Sequence, residues 1–209
     1  MLETAIIAFT TFFATIGPVD VAVIYAAITQ NNSRKMKRTM ALRGCFIAFI
    51  ILLFFALAGD ALLRTLGISL SALKFAGGIL LLLIAIDLVF ARQSGANATE
   101  SERQAAIDKE DVSVFPLATP LIAGPGTMSA VVLLTVNAGE DYVAQAVVIA
   151  ALLAVLLLTL ALLLLANQVQ RLFGETGIHA ISRVFGVLLA ALSVQFMFDG
   201  LAQSGLGIS

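Results

Sequence analysis

Pro116-Leu117-Ala118-Thr119-Pro120-Leu121-Ile122-Ala123-Gly124-Pro125-Gly126-Thr127 sets three prolines into an otherwise apolar stretch. A shorter interruption of the same kind, Phe13-Ala14-Thr15-Ile16-Gly17-Pro18-Val19-Asp20, stands at the matching place in the first half of the chain. A proline inside a helix removes one backbone hydrogen bond and its ring clashes with the preceding turn, at about 3 kcal/mol or more. In hydrocarbon the freed carbonyls find no water, so such a break survives only where it lines a cavity or packs against protein. Paired interruptions in two halves of a chain point to the substrate site of a transporter.

The surrounding composition leaves little choice of solvent. Of 209 residues, 60% are hydrophobic and 12% charged, and the mean hydropathy is +1.05. A soluble domain carries about 25% charged residues. The apolar runs match the roughly 20 residues that a membrane helix needs. Six spans are expected, near Leu2–Thr29, Thr39–Leu63, Ser69–Phe90, Val114–Val136, Tyr142–Ala166 and Ala180–Ala202. They read as helices because the runs are continuous and about twice the length of a tilted barrel strand. The start, Met1-Leu2-Glu3-Thr4, lacks the basic region and cleavage site of a signal peptide, so the first span is expected to be kept.

Ala91 to Asp111 is polar and divides the chain. The reading is an all-α membrane protein with a first three-helix repeat over 1–90, a cytoplasmic linker over 91–112 and a second repeat over 113–209. Arg34, Lys35, Lys37 and Arg38 crowd one loop, Arg92, Arg103 and Lys109 the linker, and Arg171 a third loop. The opposite loops are poor in base, so both termini are expected outside a bacterial or archaeal inner membrane, with the basic loops in the cytoplasm. An odd number of spans per half turns the second half upside down, which makes an inverted repeat. Gly17-Pro18 then aligns with Gly124-Pro125, Asp20 with Thr127, and Gly78-Ile79-Leu80-Leu81 with Gly186-Val187-Leu188-Leu189.

At each break the helix is expected to unwind near the midplane around glycine, with proline opening the next half-helix. The bare N–H groups and positive dipole end of that half-helix suit a carboxylate. Free carbonyls ending the preceding half suit an ammonium group, so a zwitterion such as an amino acid satisfies both. A pair of kinks repaired by Ser, Thr or water is the plainer alternative. Repeat geometry adds Thr15, Gly17, Asp20, Thr119 and Thr127 to the candidate substrate site. An acid near the bilayer centre costs about 2.5–3.5 kcal/mol on insertion scales, which fits Asp20 to carry a coupling proton or to pair with a substrate amine. Elsewhere the plain readings lead: Cys45 as a small core residue, His179 in a short loop, Asp87 paired with Arg92, and Lys74 and Arg183 as interfacial anchors.

The proline-rich run from Pro116 to Gly126 closely resembles the signature of the MarC family of inner-membrane proteins. The segment Gly67-Ile68-Ser69-Leu70 through Ala76-Gly77-Gly78-Ile79-Leu80 is similar too, as is Arg183-Val184-Phe185-Gly186 with Gln195-Phe196 and Gly200-Leu201. The family's first motif usually reads Asn-Pro-Ile-Gly-Asn-x-Pro. Here Gly17-Pro18-Val19-Asp20-Val21-Ala22-Val23 keeps only its central proline and an aliphatic residue. The resemblance implies six spans and, for the SnatA-like members, export of small neutral amino acids such as alanine and glycine. It carries over Pro18, Pro120, Gly124, Pro125 and Gly126 as substrate-site positions.

The expected function is a secondary transporter, an antiporter working by alternating access and driven by a proton gradient. A passive channel, or a carrier for another small metabolite class, is the alternative. A membrane enzyme fits least, because one cysteine and one histidine support neither a dithiol couple nor a His-Glu-x-x-His zinc site. No cofactor, metal or catalytic residue is expected, and no basic tract suggests nucleic acid. The expected partners are small neutral amino acids and membrane lipid, with a homo-oligomer left open.

Overall fold

A residue that precedes proline is pushed from the helical toward the extended region, and three of the four prolines act on their neighbours in that way. Phe115 (φ −130°, ψ 124°) and Thr119 (φ −133°, ψ 130°) are extended inside a helical segment, and Gly124 (φ −80°, ψ 168°) separates two helices. Gly17, before Pro18, is left-handed instead (φ 60°, ψ 60°), an orientation that glycine adopts without steric cost. The computed structural model describes residues 1–29, 32–90, 111–139 and 141–204. The linker residues 91–110, with Arg92, Arg103 and Lys109, lie outside the described residues.

The chain runs α1 (Leu2–Ile16), α2 (Pro18–Ile28), α3 (Arg34–Thr65), α4 (Leu70–Phe90), α5 (Ser113–Ile122), α6 (Pro125–Asn137), α7 (Tyr142–Leu164) and α8 (Ala166–Gln203). Among the described residues, five apolar stretches are long enough to cross a membrane, and α5 with α6 makes a sixth if the bent pair counts as one span. The two interruptions differ in shape. Leu2–Ala26 remains one membrane-length span despite Gly17, whereas α5 and α6 bend by 56°. Short polar caps start several helices. Ser69 Oγ accepts from the Ala72 amide at 3.2 Å, and Asp141 Oδ1 accepts from the amides of Val143 and Ala144 at 3.0 and 3.1 Å.

The interrupted spans lie innermost. In Leu2–Ala26, 56% of the apolar window is buried, against 28–39% for the other four stretches. Leu117, Ala118, Leu121 and Ile122 of α5 are at most 1% exposed. The outer helices α3, α4, α7 and α8 turn large apolar side chains outward, among them Phe46, Phe54, Leu83, Leu157 and Phe198. Cys45 is buried in the core, as expected.

Packing partners recur between the halves. α1 packs on α7 as α5 packs on α3, and α2 packs on α7 and α8 as α6 packs on α3 and α4. The largest contact joins α4 to α8, where glycines let the backbones close. A Cβ on Gly78 would stand 2.6 Å from Met197 Cγ and 2.7 Å from the Ser193 carbonyl oxygen. One on Gly186 would stand 2.8 Å from Leu88 Cβ and 3.0 Å from the Val89 amide nitrogen. Val89 follows Gly78 by eleven residues, and Met197 follows Gly186 by the same eleven. Gly200 closes the far end, where a Cβ would meet the Ser71 carbonyl oxygen at 2.8 Å.

Two sequence expectations need correction here. The loop expected between Ala166 and Ala180 is helical: α8 starts at Ala166, only Leu165 separates it from α7, and His179 falls inside the helix. Gly174 and Gly177 cost about 1 kcal/mol each in a helix, which does not break one without a proline. Lys74, expected to reach an interface, is 3% exposed, and its Nζ donates to Gln203 Oε1 at 3.1 Å across the α4–α8 seam. The close approach at Gly200 encloses its stem, with Lys74 Cβ 3.2 Å from the added carbon.

Two adjacent glycines should behave differently on substitution. At Gly77 a Cβ meets only Leu133 Cδ2, at 3.4 Å, so Gly77→Ala should leave the melting temperature in detergent nearly unchanged. Gly78→Ala should destabilise by about 1–3 kcal/mol, as overpacking does. Equal melting of the two variants would remove the α4–α8 seam as a close backbone contact.

Candidate functional site

Pro18 has no N–H to return to the carbonyl of Ala14, so the helical ladder lapses at the end of α1. Gly17 repairs part of the loss: its N–H donates to the Phe13 carbonyl at 2.9 Å, and its own carbonyl accepts from Val21 at 2.9 Å. The Thr15 carbonyl accepts from the Thr127 hydroxyl of α6, at 3.3 Å. That bond ties the two interruptions together across 112 residues. Both threonines are 1% exposed. The Thr15 hydroxyl donates to the Thr11 carbonyl at 2.9 Å. Thr11 itself is fully buried, and its hydroxyl has no hydrogen-bond partner among the described residues.

The second interruption is held by wider turns. Because Phe115 and Thr119 are extended, amides reach back five residues: Leu117 to the Val112 carbonyl at 3.1 Å and Ala123 to the Ala118 carbonyl at 2.8 Å. The Thr119 hydroxyl follows the same spacing to the Val114 carbonyl at 3.4 Å. Gly124 then ends the turn and Pro125 opens α6 at its first position. Gly126 is a packing contact with α4, since a Cβ there would lie 2.0 Å from Ile84 Cδ1.

A narrow, half-open cleft with room for about one water molecule lies beside the first interruption. Phe13, Ala14, Gly17, Val19 and Asp20 form one wall, and Leu88 of α4 and Phe185 of α8 close it. The rings of Phe13 and Phe185 are 4.0 Å apart at a 34° tilt. Among the described lining residues Asp20 is the one ionisable group, and its Oδ2 stands 3.4 Å from where a Cβ on Gly17 would lie. Of the sequence candidates, Gly17 and Asp20 line the cleft, Thr15 and Thr127 tie its floor to α6, and Pro18 is buried beside it. Thr119, Pro120, Gly124 and Gly126 are not part of that lining, and the side chain of Pro125 lies outside the described residues. Phe13, Leu88 and Phe185 escaped the residue-by-residue reading, although Phe13 and Phe185 stand inside the quoted motifs. An aromatic in an apolar helix gives no signal of which partner it will meet.

At the mouth of α5, Asp111 Oδ1 accepts from the Ser113 amide at 2.9 Å and from the Ser113 hydroxyl, and Oδ2 lies 3.6 Å from Arg43 Nη1. The Ser113 hydrogen bonds, with the Arg43 guanidinium adding to them, hold this carboxyl below the usual carboxylate range.

The profile described as MarC family integral membrane protein matches residues 2–204. The chain belongs to the MarC family. A UPF0056 membrane protein of Methanocaldococcus jannaschii is 36% identical over 200 residues, covering 96% of this chain and 97% of the relative. One from Aquifex aeolicus is 36% identical, over 93% and 90% of the two chains. One from Chlamydia trachomatis is 32% identical, over 92% and 90%. No solved structure matches the chain. This MarC-family chain is thus an integral membrane protein of several helical spans.

Thr127→Val keeps the volume and removes the hydroxyl that satisfies Thr15. It should lower stability by about 1–3 kcal/mol, the cost of a buried acceptor left unpaired, while Thr127→Ser stays near wild type in the same thermal melts. Asp111→Asn should melt earlier than wild type at neutral pH. The depressed carboxyl stabilises above the ordinary Asp value of about 3.9 and loses that contribution as pH falls through its lower folded value. The two melting curves should therefore converge in acid; a gap that persists there would reject the charge-based account.

Proposed function

We propose that this MarC-family protein is a secondary transporter that exports small neutral amino acids, glycine and alanine foremost, across the inner membrane by alternating access. The observation that carries the reading is the Thr127–Thr15 bond, which sets the second interruption against the first. Interrupted backbone at membrane depth is tolerated where it is enclosed by protein, and substrate sites use such half-helix ends. The reciprocal pairing of α1, α2, α5 and α6 with the outer helices supports an inverted repeat. So does the equal eleven-residue spacing of the Gly78–Met197 and Gly186–Val89 contacts. In this reading both termini face outward and the two repeats rock about the α4–α8 seam.

The substrate ammonium meets Asp20, and the carboxylate meets amides at the start of α2, with Thr15, Gly17 and Pro18 shaping that end of the site. Thr119, Pro120, Gly124, Pro125, Gly126 and Thr127 complete it from the α5–α6 side as the repeats move. The Phe13–Phe185 pair narrows the cleft to about the size of a water molecule, so the site must widen as the repeats rock and then admits only a small substrate. Asp20 also carries the coupling proton. The apolar wall around one carboxylate favours a carrier over a wide aqueous channel, and over an enzyme, which would need a second reacting group in the cleft.

Reconstituted vesicles decide this. Asp20→Asn should fold normally and lose pH-driven glycine and alanine flux by about tenfold or more, since removing a group used only in the transport step costs at least about 1.4 kcal/mol. Undiminished flux in Asp20→Asn would end its coupling role. Wild type that neither takes up nor counterflows labelled glycine or alanine would end the amino-acid reading.

A further inference from the structure

Helix α3 divides cleanly into two faces. Met40, Ala41, Cys45, Ala48 and Leu52 are buried, whereas Leu42, Phe46 and Ile50 are 44%, 64% and 49% exposed. On that exposed side, in the first turns, stand Arg34, Lys35 and Arg38, all exposed. Their helix is held in place: the Tyr25 hydroxyl of α2 donates to the Lys37 carbonyl at 2.5 Å. Arg43, further along, is engaged with Asp111 at 3.6 Å. A cationic head thus sits directly on an apolar, outward-facing stripe.

We infer that the start of α3 binds the headgroup of an anionic phospholipid, whose acyl chains lie along Leu42, Phe46 and Ile50. Guanidinium groups match a phosphate with paired, charge-assisted hydrogen bonds. Basic clusters beside a membrane helix gain from anionic headgroups additively, residue by residue. The lengths agree as well. From Arg38 to Ile50 the helix rises about 18 Å, close to the roughly 15 Å of one leaflet's hydrocarbon. A free phosphate would engage the cations and leave the stripe untouched, so the chemistry selects a lipid.

The test titrates phosphatidylglycerol or phosphatidylcholine into the full chain in neutral detergent and follows thermal unfolding. Phosphatidylglycerol should raise the melting temperature more than phosphatidylcholine does, and raised salt should weaken the difference. In the variant R34Q/K35Q/R38Q the concentration for half effect should rise by about tenfold or more. R183Q, which removes an exposed cation on α8, should respond as wild type does. If the triple variant does not yield folded protein, R38Q is read in the same titration, with a smaller shift in the same direction. Equal responses to both lipids, an unaltered titration in the variants, or the same stabilisation from glycerol phosphate alone would each overturn the site.

Discussion

Hydrocarbon offers no hydrogen bond, and that one fact arranges the molecule. A continuous helix satisfies its own backbone, so α3, α4, α7 and α8 can stand against lipid. The two interrupted spans cannot. Pro18, Pro116, Pro120 and Pro125 each remove a donor from a ladder, and all four fall in α2, α5 and α6. Those segments accordingly lie innermost, walled by the outer helices, and their loose groups are answered by protein. The Thr15 carbonyl takes the Thr127 hydroxyl, and Ala123 reaches back to Ala118. Enclosure is thus a condition for the breaks, and the breaks in turn bring backbone polarity to the middle of an apolar protein.

The α4–α8 seam supplies the counterweight. At Gly78, Gly186 and Gly200 two backbones meet without intervening side chains, and close packing replaces the hydrophobic drive that lipid does not provide. The same seam carries Leu88 and Phe185 to the edge of the first interruption, where they become the far wall of the cleft. Lys74 at its other end is covered by this approach and bonded to Gln203 instead of reaching outward. One packing decision therefore shapes the cleft and buries the amine.

The two interruptions also show how similar sequence gives dissimilar shape. Gly17 can turn left-handed, so the first span absorbs its proline within one membrane-length stretch. Phe115 and Thr119 bear side chains and move to extended geometry, which opens five-residue turns, and the second span bends by 56°. A Gly-Pro pair reads alike in both; the residue before each additional proline decides the difference.

Composition and the lengths of the apolar runs were enough to read helical class, membrane solvent and about five or six apolar stretches, because each follows from local backbone chemistry and the cost of polarity in hydrocarbon. The limits of α8, the burial of Lys74, the meeting of Thr15 with Thr127 and the wall formed by Phe13, Leu88 and Phe185 were not legible. Each depends on which helix lies alongside at a given height. In a chain where nearly every position is apolar, hydrophobicity no longer says which face turns inward, and only the fit of glycine against backbone and ring against ring makes that choice.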